Sequence, residues 1–269
     1  MTKKSRCAIC FRIFIASLLF EFLLASGAFA SQSCGVAAAG TIGPIPDDLF
    51  HVQGITFSTD SIFITSVDKN TTSGLLWKID RRTFKTVKTR NLSENFMYHA
   101  SGLQFDGKFL WVAIAVYAKE TASKVLKIDP VTLKTIKKFP VADHIGIVAT
   151  DGGGILYGGN WDAKIFYQWK EDGSLIEKRP NPTDHGYQDC KVWNVFLACS
   201  GNRAVDFIRL DTWQVARTFG LPVLPNGNDA TREGMALIDG KFYFLPDDGA
   251  GTNIYVFEPD KKCSIETLR

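Results

Sequence analysis

The chain repeats one pattern of polar and apolar positions five times between residues 51 and 269. Each copy begins with polar residues, continues through one small residue, and then alternates apolar and polar positions, which predicts a β-strand. The small residues lie 48, 44, 44 and 44 positions apart, at Gly54, Gly102, Gly146, Cys190 and Gly234. A nearly constant period of this length indicates one structural unit repeated along the chain.

The second copy shows the internal order of a unit most clearly. Residues 102–105 lead through Asp106-Gly107 into the apolar run 109–115, and after a polar loop residues 124–129 turn into 132–139. This alternation of strand and turn patterns predicts four strands. Asp-Gly recurs at 151–152 and 239–240, and this dipeptide is typical of tight hairpins that need a positive φ. Helical periodicity is almost absent after residue 50.

Four strands in a unit of 40 to 50 residues are the signature of a β-propeller blade. We therefore predict an all-β fold, a single β-propeller domain of five four-stranded blades over residues 51–269. Residues 31–50 are predicted to be an N-terminal closing segment, because propellers commonly complete one blade with strands from both ends of the chain. Six blades remain the alternative if that segment contributes more than one strand. A β-sandwich also has many short strands but would not produce a 44-residue period.

Residues 1–30 have the pattern of a signal peptide. Four basic residues come first, at Lys3, Lys4, Arg6 and Arg12. A mostly apolar run over 13–25 follows, and a small-x-small triplet at 28–30 supplies a cleavage site. The run is too short to span a membrane and contains Glu21. We expect a secreted or periplasmic protein with no membrane partner once the signal is removed.

Removing that segment changes the charge balance. The whole chain has 31 basic and 28 acidic residues, and residues 1–30 hold four and one of them, which leaves 27 of each. A neutral protein lacks the field that would neutralise many phosphates, so nucleic acid is not an expected partner. The expected form is a monomer.

Four of the six cysteines remain after the signal is removed, and an even number in an exported protein favours disulfides. Cys34 and Cys263 lie near the two ends, where a bridge would hold the ring closed. Cys190 and Cys199 flank a hairpin and fall opposite one another, within reach of a second bridge. The alternative for Cys190 is a small buried residue that fills a glycine slot.

The repeat also predicts where a ligand would bind. The innermost strand of each blade runs along the central channel, so the residues just before the small residues gather at one mouth. They are His51, His99, Ser101, His144, Gln188, Asp189, Arg232 and Glu233, with Gln53 and Asp143 in the same slots. The loops after the second strands face the same mouth and add Asp68, Tyr117, Asn160, Trp161, Asp162, Asn202, Arg203, Asp247 and Asp248. Convergent polar groups in a concavity predict a ligand pocket, and the alternative is that they cap strand ends.

Sequence motifs for common chemistries are missing. There is no G-x-S-x-G elbow, no H-E-x-x-H and no phosphate loop. We therefore rank a binding module, for a small polar or sugar-like ligand or a partner's extended segment, ahead of an enzyme. The alternative is a metal-dependent hydrolase of lactonase or phosphoesterase type. Its divalent metal would be shared by His99, His144, Asp189 and Glu233.

Several segments resemble a known family. They are 98–107 (YHASGLQFDG), 110–117 (LWVAIAVY), 143–146 (DHIG), 187–191 (YQDCK) and 199–201 (CSG). They are similar to a family of exported bacterial proteins of unknown function, which implies a propeller and an exported location and brings no activity. Glu233-Gly234 is similar to the motif of gluconolactonase-type propellers, which implies a metal held by Glu233, Asn160 and Asp189.

Overall fold

The computed structural model describes residues 32–246 and 249–265, so the predicted signal peptide lies outside the described residues. These residues form 21 β-strands and three short 3-10 turns. The first two strands are β1 (Gln32–Cys34) and β2 (Val36–Ile45). The 3-10 turns are η1 (Trp161–Ala163), η2 (Ala230–Arg232) and η3 (Lys261–Cys263). No helix in this part of the chain is long and apolar enough to cross a bilayer.

The remaining strands form five antiparallel sheets, which we call blades 1 to 5 in chain order. Blade 1 holds β3 (His51–Phe57), β4 (Ser61–Asp68), β5 (Ser73–Asp80) and β6 (Thr86–Asn91). Blade 2 holds β7 (Met97–Phe105), β8 (Leu110–Val116), β9 (Ser123–Ile128) and β10 (Thr135–Val141). Blade 3 holds β11 (Ile145–Thr150), β12 (Ile155–Asn160), β13 (Ile165–Lys170) and β14 (Leu175–Pro180).

Blade 4 holds β15 (Asp189–Trp193), β16 (Phe196–Gly201), β17 (Ala204–Arg209) and β18 (Val215–Gly220). Blade 5 holds β19 (Gly234–Ile238), β20 (Lys241–Leu245) and β21 (Thr252–Pro259). In every blade the first strand is the inner one and pairing proceeds outward in sequence order. The prediction of a five-bladed β-propeller is confirmed, and the six-bladed alternative is wrong.

The N-terminal segment closes the ring in two places. Strand β2 pairs antiparallel with β21 and becomes the outer strand of blade 5. Strand β1 pairs in parallel with β18 and adds a fifth strand to blade 4. A disulfide joins Cys34, at the end of β1, to Cys263, 229 residues later. The predicted bridge at the closure is therefore present.

The second predicted disulfide joins the two inner strands of blade 4. Cys190 and Cys199 are register partners across β15 and β16 and are bonded to each other. Both are fully buried in the core between blades 3 and 4. Cys190 therefore occupies the small-residue slot of its unit with its sulfur turned away from the central axis.

The small residues of the repeat are required where the inner strands meet. A Cβ on Gly54 would lie 2.7 Å from the Cα of Gly102, and a Cβ on Gly234 would lie 2.9 Å from the Cα of Gly54. Real Cβ atoms do not approach backbone this closely, so the slots of blades 1 and 5 accept glycine alone. In blade 2, a Cβ on Gly102 would collide with Oδ1 of the buried Asp189.

Aspartates stabilise the turns that follow the third strands of blades 1 and 2. The carboxylates of Asp80 and Asp129 each accept two backbone N–H groups, at Arg82 and Thr83 and at Val131 and Thr132. Such Asx-type bonds fix the turn into the fourth strand.

Candidate functional site

A cavity of about 330 Å³ opens at one mouth of the central channel. It is at the small end of the range for ligand pockets. All five blades contribute to its wall, because equivalent slots of the repeat are brought to one axis. The lining residues are His51, Gln53, His99, Tyr117, His144, Gly146, Ile147, Asn160, Trp161, Asp162, Tyr187, Gln188, Arg232 and Glu233.

Nine of the eleven predicted ligand-binding residues line this cavity, and Ser101 and Asp189 do not. The Ser101 hydroxyl is fully buried, donates to the carbonyl of Gly102 at 2.6 Å and accepts the N–H of Ala113 at 2.8 Å. Asp189 is fully enclosed beneath the cavity. These two side chains serve the strands, as the capping alternative expects.

Gln53 and Asp162, which the repeat also places at the mouth, line the cavity, whereas Asp68, Asn202 and Arg203 do not. Asp247 and Asp248 lie outside the described residues. Asp143 supports the wall from behind, because its carboxylate accepts bonds from the amide of Asn160 at 3.1 Å and the hydroxyl of Tyr167 at 2.6 Å. Tyr187 was missed as a wall residue. Its hydroxyl donates to the buried carboxylate of Asp206 at 2.7 Å, and no signal in the repeat indicates that contact.

His99 lies in an aromatic stack on the side of the cavity formed by blades 2 and 3. Its ring centre is 4.3 Å from that of Tyr117, 6.0 Å from that of Trp161 and 4.8 Å from that of His144. The His99 side chain makes no hydrogen bond within the described residues, and its Nδ1 is enclosed without a partner. Burial, reinforced by electrostatic repulsion from His144, His51 and Lys69, holds the pKa of His99 well below 6.5. The ring is neutral at pH 7.

His144 is held by the loop that follows β8. Its Nδ1 lies 2.7 Å from the carbonyl oxygen of Val116 and 3.1 Å from that of Ala118. Burial lowers the pKa of His144, although the bonds to these two carbonyls act in the opposite direction. The ring of Trp161 packs against it with 4.6 Å between centres.

Blades 5 and 1 supply the charged side of the cavity. The carboxylate of Glu233, only 5% exposed, lies 3.7 Å from Nδ1 of His51 and 3.4 Å from Nε of Arg232. The cavity therefore has one side with a carboxylate near two basic groups and another with neutral imidazoles and aromatic faces. Such a site can bind polar groups and stack an apolar face, and the carboxylate can exchange a proton.

The predicted metal site is not supported by the geometry. Within residues 32–246 and 249–265, no group of three or more His, Cys, Asp or Glu residues is placed so that it could hold a metal ion. Asp189 is directed to Lys191, at 2.6 Å, and to the N–H of Met235, at 3.1 Å. It is therefore not available to share a metal with His99, His144 and Glu233.

Comparison with known proteins gives a family and a fold. A model described as "Family of unknown function (DUF6454)" matches residues 39–206. No curated protein matches the chain, and the similarity to gluconolactonase-type propellers is not shown.

Solved structures with the same fold include a glutaminyl cyclase from Myxococcus xanthus. It is 14% identical, with a TM-score of 0.64, over 85% of this chain and 99% of that one. A protein of unknown function from Bacteroides caccae is 9% identical, with a TM-score of 0.51, over 73% of this chain and 71% of that one. At such identities the likeness shows the fold alone.

Proposed function

We propose that this chain, which belongs to the DUF6454 family of unknown function, binds a small polar or sugar-like ligand in the cavity at the channel mouth. We also propose that it works as an exported monomer, and its two disulfides support an oxidising compartment.

One observation carries the proposal: all five blades direct polar side chains into a cavity that also holds a buried imidazole without a hydrogen-bond partner in the described residues. That imidazole belongs to His99, which is 7% exposed. Buried polar groups are normally satisfied by protein or by bound molecules. Trp161 and Tyr117 add faces on which a sugar ring could stack.

The size of the cavity favours a small ligand over a partner's extended segment. Its volume, about 330 Å³, is at the small end of the range for ligand pockets.

The test is a panel of monosaccharides, disaccharides and polyols, measured by the rise in melting temperature and then by calorimetry. His99→Ala and Glu233→Ala should keep the parent's circular dichroism and lose the ligand-induced rise. Val131→Ala is the control, since Val131 is 71% exposed in the turn between β9 and β10, away from the mouth. If both cavity variants melt far below the parent and still bind with parental affinity, these residues are structural and the site lies elsewhere.

A second candidate is an enzyme, favoured by the proximity of Glu233 and His51. The metal-dependent hydrolase is the weaker version, because the described residues offer no metal-binding cluster. A carboxylate beside an imidazole suits metal-free proton transfer. The fold neighbour named as a glutaminyl cyclase suggests one such reaction, the cyclisation of an amino-terminal glutaminyl residue.

In that reaction the α-amine nitrogen bonds to the side-chain amide carbon, and the bond from this carbon to its nitrogen breaks. Glu233 would take a proton from the attacking amine and return it to the leaving nitrogen, which departs as ammonia. The test is ammonia release from a glutaminyl dipeptide, with and without a chelator. Release that survives the chelator and is lost in Glu233→Gln supports this candidate, and no release above a buffer blank rejects it.

A further inference from the structure

The tautomer of His144 follows from its hydrogen bonds. Both partners of its Nδ1, at Val116 and Ala118, are carbonyl oxygens, which only accept. Nδ1 of the neutral ring must therefore carry the hydrogen, and Nε2 carries a lone pair. Nε2 makes no hydrogen bond in the part of the chain that the structure describes and is not sealed from the cavity. His144 thus contributes an acceptor to the wall.

His99 has the opposite tautomer. Its Nδ1 is enclosed and has no partner within the described residues, whereas Nε2 is not enclosed. An enclosed N–H without an acceptor is rarer in proteins, and costs more, than an enclosed lone pair without a donor. The hydrogen of the neutral ring therefore resides on Nε2, the nitrogen that can reach the cavity. His99 contributes a donor.

We propose that His99 and His144 form a complementary donor–acceptor pair, which selects a neutral ligand group able to accept one hydrogen bond and donate another. The ring centres are 4.8 Å apart and both rings line the same cavity, so the proposal requires one ligand group to contact both. The matching chemistry is an alcohol hydroxyl or a primary carboxamide. This inference rests on the proposed ligand-binding function of the cavity and names the group that the ligand must carry.

Ionic groups fit the pair poorly. An ammonium only donates, so it leaves the His99 N–H without an acceptor. An ionised carboxylate only accepts, so it leaves the His144 lone pair without a donor. The buried position of both rings, which lowers both pKa values, keeps the pair neutral at pH 7. Trp161, whose ring centre is 6.0 Å from that of His99 and 4.6 Å from that of His144, adds an apolar surface beside the pair.

The tautomers can be read directly, without any ligand. A long-range ¹H–¹⁵N correlation spectrum of ¹⁵N-histidine-labelled protein at pH 7 distinguishes the two neutral forms and the imidazolium. His99→Gln and His144→Gln assign the two rings. We expect the Nε2–H form for His99 and the Nδ1–H form for His144. The same tautomer in both rings, or an imidazolium at either position, would overturn the proposal.

Selection is tested with small probes of one size: 1-propanol, propionamide, propionate and propylammonium. At least one neutral probe should shift the ¹⁵N resonances of both rings, with the ions binding about 10-fold more weakly or not at all. A preference for propanol indicates a sugar-like ligand, and a preference for propionamide indicates a glutaminyl-type group. If the ions bind as well as the neutral probes, the proposal that the His99–His144 pair selects a neutral group is wrong.

The outcomes separate this inference from the proposed function. Wrong tautomers in a protein that binds a sugar from the panel would reject the pair and leave the binding function standing. Expected tautomers in a protein that binds no neutral probe would reject the selection that we propose, and a panel without any binder would reject the function itself.

Discussion

Asp189 and Lys191 form an ion pair inside the central channel, with 2.6 Å between Oδ2 and Nζ. Their side chains are 0% and 5% exposed, and the same Oδ2 accepts the N–H of Met235 from blade 5. Burial raises the pKa of Asp189 and lowers that of Lys191, in both cases against their mutual attraction. The pair therefore joins blades 4 and 5 at a high desolvation cost.

Removing one partner of this ion pair should lower the free energy of unfolding much more than removing both charges. Lys191→Met strands a buried carboxylate and should lower the free energy of unfolding by about 3–5 kcal/mol at pH 7. Adding Asp189→Asn to that variant should restore most of the loss, because no charge then remains in the channel. Urea denaturation of the parent, both single variants and the double variant measures the coupling. Equal losses in Lys191→Met and the double variant would contradict this account.

The glycine contact at the axis predicts a second effect. Gly54→Ala would place its Cβ 2.7 Å from the Cα of Gly102 and should cost about 1–3 kcal/mol, because two backbones must separate. Gly220→Ala is the matched control, since a Cβ there meets nothing within 4 Å. Thermal unfolding followed by circular dichroism compares them. A Gly54→Ala protein as stable as the control would show that the inner strands are not in close contact.

The buried imidazole of His99 predicts a pH dependence. Its pKa is lower in the folded protein than its ordinary 6.5, so below that pH the unfolded chain binds more protons and stability falls. His99→Gln should make this decline shallower, while His144, whose pKa is also lowered, keeps part of it. Urea denaturation between pH 5 and 8 gives the two curves. Curves that stay parallel down to pH 5 would show that His99 is not a source of the decline.

The two disulfides should contribute different amounts to the free energy of unfolding. In the chain-entropy treatment, a bridge over 229 residues contributes about 5 kcal/mol and one over nine residues about 3 kcal/mol. Cys34→Ala with Cys263→Ala should therefore lose more stability than Cys190→Ala with Cys199→Ala. Chemical denaturation of the two double variants tests the order. A larger loss in the Cys190–Cys199 pair would indicate that core packing, not closure, dominates.

The sequence predicts the blades well because every blade of a propeller has the same packing requirements, so the same residue pattern recurs in each unit. Inner strands must approach closely, so a small residue recurs in each unit, and Gly54 lies close to both Gly102 and Gly234 as that argument requires. The residues that precede these small residues occupy equivalent positions in the five blades, so the symmetry of the ring brings them to one mouth of the channel. This is why nine predicted side chains line one cavity.

Other features depend on contacts between segments that no periodicity encodes. The orientation of His144 depends on the carbonyls of Val116, the last residue of β8, and of Ala118 in the loop that follows. Asp189 does not line the cavity because its carboxylate pairs with Lys191, two residues later on the same strand. The parallel pairing of β1 with blade 4 involves three residues, too few for a pattern.

The closure by β1 and β2 also sets the order in which the fold can be completed during synthesis. Blades 1 to 3 are built from consecutive strands and can form as they emerge, since their contacts are local. Residues 32–45 are made before all of these, yet their partners in β18 and β21 are among the last strands made. A chain halted before β21 would hold four finished blades, with β2 as an unpaired strand that could pair with a wrong neighbour.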